Sequence, residues 1–167
     1  MLRIIGIDPG SRVTGYGVIE SNGVQSTHIT HGTLRLQGNE LPPRLGQIFA
    51  GIGQVIDEYG PQMMAIEQVF VSKNPSSALK LGQARGAAIC AGVSRQLDVF
   101  EYTPTQIKQS VVGSGRAAKE QVQHMVQLIL RLEERPVTDA ADALAVALSH
   151  AHTHSTLNRL TEWGGRR

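Results

Sequence analysis

Two short stretches of this chain are apolar at every position, and both stop at an acid. Ile4-Ile5-Gly6-Ile7 leads into Asp8, and Met63-Met64-Ala65-Ile66 leads into Glu67. Such a run is the pattern of a strand covered on both faces, in the middle of a sheet. Val13 to Glu20 reads as a second strand. Ser21-Asn22-Gly23 is a hairpin signal, and a third strand follows over about 24–36. Asn39-Glu40 with Pro42 and Pro43 starts a helix, in which Leu41, Leu45, Ile48, Phe49, Ile52, Val55, Ile56 and Tyr59 keep helical spacing up to Gly60-Pro61. Asn74-Pro75 caps a second helix lasting to about Gln96, and Leu97 to Tyr102 reads as a fifth strand. Three helices, over 104–112, 117–132 and 138–150, complete the pattern. The order predicts an α/β fold: a three-strand meander extended by parallel crossovers into a mixed five-stranded sheet with helices on both faces. One domain over 1–155 is expected, followed by a flexible tail over 156–167.

Composition narrows the class. With 41% hydrophobic and 18% charged residues the chain is globular rather than disordered. No stretch approaches the roughly 18 apolar residues of a membrane span, and the N-terminus carries no signal-peptide pattern, so a cytoplasmic protein is expected. The single cysteine, Cys90, is read as a small buried filler in a reducing compartment. Net charge is +2, but it is unevenly placed: residues 72–119 hold seven bases and two acids, a segment of +5 beside flanks summing to −3. Lys73, Lys80, Arg85, Lys108, Arg116 and Lys119 belong to that segment. A basic middle suits a protein that grips a polyanion with one region; solvated helix faces are the plainer reading of the same charges.

The acids carry the chemistry. Asp8 and Glu67 should emerge where central strands end, the place where open α/β sheets hold ligands. If those strands are neighbours, two like charges sit side by side, an arrangement that a divalent cation stabilises. Asp139 and Asp142, three apart, share one helix face, and Ala140, Ala141, Ala143 and Ala145 leave that helix slim enough to approach a sheet. Acids in a helix's first turn are also favoured by the helix dipole whatever the function. Four carboxylates from three distant segments form an oxygen-ligand set for hard cations. Two Mg²⁺ ions ~4 Å apart can activate water on one side of a phosphodiester and stabilise the leaving oxygen on the other. His150, His152 and His154 alternate where a helix is expected to end and read as its solvated terminus. Gly82 to Gly86 lies inside a helical pattern and is not a phosphate loop; its small residues suit close packing against the sheet or a partner helix.

Gly6-Ile7-Asp8-Pro9-Gly10-Ser11, Ala65-Ile66-Glu67-Gln68-Val69-Phe70, the segment Ser77 to Gly86, and Asp139-Ala140-Ala141-Asp142-Ala143-Leu144-Ala145 together resemble the RuvC family of bacterial Holliday junction resolvases. The likeness runs from the start to about residue 152. The first motif alone resembles the wider ribonuclease H superfamily; the ordered set of four is specific. The resemblance implies a ribonuclease H-like fold and a homodimeric, Mg²⁺-dependent endonuclease, with Mn²⁺ as a substitute. It would nick two opposing strands of a four-way junction symmetrically, in recombination and repair, leaving ligatable 5′-phosphate ends. RuvA–RuvB would be its branch-migration partners. Asp8, Glu67, Asp139 and Asp142 become the catalytic and metal-binding set. Phe70 matches an aromatic that stacks on an unpaired base, and Lys108 and Lys119 match contacts to the backbone near the scissile phosphate. Arg116 is a further candidate contact, although its neighbours depart from the family pattern. Two other classes compete. Gly6 to Gly10 also resembles the first phosphate motif of actin-like ATPases, but no second Asp-x-Gly motif or homologous half follows. A junction-binding module without catalysis would leave the four acids unexplained.

Overall fold

The computed structural model describes residues 1–70 and 74–164, with side chains described as far as residue 155. At its centre lies β1 (Leu2–Asp8), paired antiparallel with β2 (Val13–Ser21) on one side and parallel with β4 (Met63–Glu67) on the other. The meander continues from β2 into β3 (Ser26–Arg35), and β5 (Asp98–Tyr102) extends the parallel half, giving the order β3-β2-β1-β4-β5. This is the mixed five-stranded sheet that the hydrophobic pattern predicts.

Side chains alternate between the faces of a strand, and here the alternation decides the rest of the fold. Ile5, Ile7, Met64 and Ile66 point to one face, where they are buried with Ile48 and Ile52 of α1 (Leu41–Tyr59) and Ala84, Ala88 and Ala91 of α2 (Pro75–Val93). Ile4, Ala65 and Tyr102 point to the other. There they meet Ile107 of α3 (Pro104–Val112), Val122 and Val126 of α4 (Lys119–Leu130), and Leu144 and Leu148 of α5 (Thr138–Gly164). Each fully buried Ile or Leu in these two layers contributes roughly 1.5–3 kcal/mol.

α5 lies unusually close to β1 and β2, and glycines are the reason. A Cβ on Gly6 would collide with the carbonyl oxygen of Ala143, and one on Gly15 with that of Asp139. The helix contributes fully buried Ala140, Ala143 and Ala147 to the same contact. Small residues on both sides thus bring the helix backbone almost onto the sheet.

Three expectations need correction. α5 does not stop near residue 150 but continues to Gly164, so the backbone of 156–164 is helical; 165–167 lie outside the described residues. No Gly or Pro occurs between Leu148 and Gly164 to end it. His150 is therefore no solvated terminus. It is 1% exposed, bonded through Nδ1 to the Tyr102 hydroxyl at 2.7 Å and packed on Phe100. Cys90 is exposed on α2 instead of filling the core, because Ala84, Ala88 and Ala91 take the inward positions.

Burial, and then the charge of nearby His154, lowers the His150 pKa to about 4. The unfolded chain therefore binds the extra proton first, at about 6.5. Stability from this residue is complete above that value and drains away as pH falls toward 4. We expect urea midpoints of the wild-type protein to drop more steeply between those limits than those of His150→Gln. The limiting difference is on the order of 3 kcal/mol; parallel pH profiles for the two proteins would remove His150 as the cause.

Candidate active site

Strand alternation places the first two acids. Asp8 follows Ile4 and Gly6 at spacing two, and Glu67 follows Ala65, so both lie on the face covered by α5. Parallel pairing sets Ile7 level with Ile66, and each acid is the next residue along its strand. Asp8 is also level with Gly15, over which the Asp139 backbone rests. The Cβ-free bed under α5 is thus what carries Asp139 and Asp142 to the ends of the central strands.

A cavity of about 330 Å³ opens there, lined by Asp8, Glu67, Asp142, Lys108 and Lys119, with Pro104, Ile107 and Val122 as its apolar wall. Lys108 enters because α3 starts directly at the end of β5: Thr103 and Gln106 form a reciprocal capping box and Pro104 opens the first turn. Lys119, the first residue of α4, sets its Nζ 2.6 Å from Asp142 Oδ2.

Crowding of like charge is evident in the titration of these groups. Desolvation, followed by repulsion from Asp142, Glu67 and Asp139, pushes Asp8 up to about 8. Burial and then Asp142 raise Glu67, against the pull of Lys119 and Lys108. Burial also raises Asp142, opposed by its hydrogen bond to Lys119. For Lys119 burial works downward, but the bond to Asp142 and the surrounding acids outweigh it and hold the amine above its usual range. Among the described residues no three of His, Cys, Asp and Glu already form a cage for an ion. The donor set nevertheless fits a hard cation: oxygens only, like charges at close quarters, and one ammonium already attracted to them.

The other sequence candidates fall elsewhere. Phe70 is 61% exposed just beyond β4, not tucked onto the core. Lys80 on α2 and Arg116 between α3 and α4 are exposed and do not line the cavity. Lys73 lies outside the described residues. Arg85 turns inward, its Nε donating to the Glu67 carbonyl at 3.0 Å and its Nη2 lying 2.7 Å from Glu101 Oε2. Sequence reasoning missed Arg44 and Thr14. Arg44 is buried and donates to the Ser11 carbonyl at 2.7 Å, while Thr14 Oγ1 donates to the Gly10 carbonyl. Together they fix the turn that follows Asp8. Nothing in the local pattern marks Arg44, which reads as an ordinary helix base.

The family model described as "Crossover junction endodeoxyribonuclease RuvC" matches residues 4–150. The chain belongs to the RuvC family. A crossover junction endodeoxyribonuclease RuvC of Pseudoalteromonas atlantica is 60% identical over 161 residues, covering 96% of this chain and 93% of that protein. One from Acinetobacter baylyi is 57% identical, covering 96% and 88%. Among solved structures, Thermus thermophilus RuvC in complex with a Holliday junction substrate superposes with a TM-score of 0.87 at 33% identity, covering 93% of this chain and 96% of that one. The yeast mitochondrial Holliday junction resolvase, at 13% identity and a TM-score of 0.71, shares the fold. As a RuvC-family member, this chain is an endonuclease that hydrolyses phosphodiester bonds at DNA crossovers. Its sheet and layers are those of the ribonuclease H-like resolvases.

Proposed function

We propose that the chain resolves Holliday junctions in recombination and DNA repair by symmetric paired nicks, with Asp8, Glu67, Asp139 and Asp142 holding two Mg²⁺ ions per site. The observation that carries the reading is the meeting of these acids, from β1, β4 and α5, beside Lys108 and Lys119 at one end of the sheet. Bound divalent ions, with Mn²⁺ able to replace Mg²⁺, supply an activated water and charge stabilisation of the leaving oxygen. The chain's own residues do the rest. The carboxylates set where the ions sit, and the apolar wall of Pro104, Ile107 and Val122 limits water on one side. Lys108 offers a positive charge to the phosphate, and Lys119 does so once it leaves Asp142. Phe70, exposed beyond β4, is free to stack on an unpaired base. Incubation with a synthetic four-way junction and Mg²⁺ tests the reading: paired, ligatable nicks are expected, whereas binding without cleavage would reduce the chain to a junction-binding module.

The lysines carry a separate expectation. Lys108→Ala should flatten the log–log salt dependence of junction binding by ~0.9 for every phosphate that the lysine neutralises, if the arms behave like B-DNA. An unchanged slope would mean that Lys108 does not touch the DNA backbone.

The working unit in this reading is a homodimer, since one chain supplies one acidic cluster and two strands must be cut. Support comes from α2. Leu79, Gly82, Gly86, Cys90 and Val93 lie along it at helical spacing, and a Cβ on Gly82 or Gly86 would meet nothing within 4 Å among the described residues. Their small size is not required by their own fold, so the stripe suits the same stripe on a second copy. Gly86→Leu is expected to sediment as a monomer at micromolar concentration while still melting cooperatively, lower than the wild type only by what association adds to the dimer. A Gly86→Leu protein that remains dimeric would move the interface elsewhere. RuvA–RuvB as partners and the cytoplasm as compartment complete the reading; no described helix is long and apolar enough to cross a membrane.

A further inference from the structure

By sequence Arg85 belongs with the bases expected to meet DNA, but its surroundings assign it different work. Its side chain is 17% exposed. Val99 and Glu101 of β5 alternate with Phe100 and Tyr102, which face α5, so Glu101 lies on the α2 side of the sheet. Arg85 pairs with it there and therefore approaches Glu67 from the side opposite the carboxylates. A phosphate in the acidic cavity is out of its reach. What it does hold is the main-chain carbonyl of Glu67, where the β1–β4 ladder has just ended and β4 keeps only β5 as a neighbour.

We propose that Arg85 is a positioning residue for the endonuclease, fixing the end of β4 from which the Glu67 carboxylate projects. The proposal rests on Glu67 being a metal ligand. A guanidinium suits the task because its donors lie in one rigid plane. Nε donates to the carbonyl while Nη2 makes an ion pair with Glu101 without a hydrogen bond, so one group links α2, β4 and β5 around a single peptide unit. The ammonium of a lysine is a point charge without the planar N–H that reaches the Glu67 carbonyl beside Glu101. Without Arg85, among the described residues the Glu67–Gln68 peptide is held only through the Gln68 N–H on the Tyr102 carbonyl, its own carbonyl loses its partner, and the Glu67 carboxylate shifts as that end relaxes. A ligand displaced in this way weakens ion binding without touching the DNA-binding surface.

The test compares Arg85→Met, Arg85→Lys, Glu101→Gln and Glu67→Gln as full-length proteins. Arg85→Met is expected to bind a junction with the wild-type Kd and salt slope. Its single-turnover cleavage should fall by about tenfold or more, as should its Mn²⁺ affinity measured calorimetrically without DNA, the range found when groups supporting metal ligands are removed. Arg85→Lys should restore neither value, and Glu101→Gln, which keeps the bond to the carbonyl, should lose less than Arg85→Met. A flattened salt slope would make Arg85 a DNA contact and overturn the proposal. So would wild-type cleavage and Mn²⁺ affinity, or losses that match the fraction of unfolded protein in each sample. If Glu67→Gln itself cleaves normally, the metal-ligand reading of Glu67 fails; if Glu67→Gln is inactive and Arg85→Met normal, only the positioning role fails.

Discussion

Asp8→Asn is expected to abolish strand cleavage, leave junction binding intact and make the metal-free protein more stable. Cleavage should fall by more than about a thousandfold, on the order of 4 kcal/mol of transition-state stabilisation. Binding should survive because the carboxylate repels phosphate and contributes nothing to the basic surface. The gain in stability follows from the sign of the titration. Folding raises the Asp8 pKa from 3.8 to about 8, so the folded state binds the extra proton between those values and loses stability as pH rises through them. An amide carries no such penalty. Relative to wild type, the variant's advantage should grow from pH 4 upward and level off near 8, reaching roughly 1–3 kcal/mol once relaxation of the neighbours is allowed for. Denaturant melts in the presence of a chelator, run beside gel-based cleavage and binding, measure all three effects. An inactive variant that is also less stable at every pH would make Asp8 a structural residue.

Gly15→Val should be still more damaging, for a steric reason. The new side chain would occupy the space of the Asp139 carbonyl, so α5 must leave the sheet or the strand must bend away from it. Overpacking of this kind costs about 1–3 kcal/mol when side chains can yield and more when backbone must move, as here. Cleavage should disappear with it, since Asp139 and Asp142 travel on the displaced helix. The counterpart at Gly82, where a Cβ meets nothing, is Gly82→Ala, which should leave the monomer as stable or slightly more so through helix propensity. Thermal melts of the pair decide the matter: equal tolerance at both glycines would contradict the tight seating of α5.

The four acids are legible in the sequence because each announces itself by a periodic pattern. Apolar runs ending at Asp8 and Glu67 specify strand termini, and the spacing of Asp139 and Asp142 with surrounding alanines specifies one face of a slim helix. The mixed sheet and its two helical layers follow from the same patterns, whereas the adjacency of β1 and β4 is settled only by their pairing. Arg85, Arg44 and His150 are not legible, because a base or a histidine in a helical stretch looks alike whether it faces solvent or a buried partner. Only the tertiary arrangement tells them apart: the Glu67 carbonyl meeting Arg85, the Ser11 carbonyl meeting Arg44, and Tyr102 meeting His150. The ion pair between Lys119 and Asp142 belongs to the same group, since it joins the first turns of two helices with the whole of α4 between them in the chain. The end of α5 escapes the pattern for a simpler cause, a polar stretch with no helix breaker in it.

The acids are far apart along the chain: Asp8 lies near its start, Glu67 some sixty residues on, and Asp139 and Asp142 near its end. Their meeting requires the β1–β4 pairing, a non-local contact, and then the docking of a helix that lies far along the chain from both strands. Contacts of such long range close late, after most of the chain's entropy has been given up. A partly folded chain, however basic its middle, therefore does not bring these acids together. For an endonuclease built this way, the gathering of its acids and the completion of its fold arrive together.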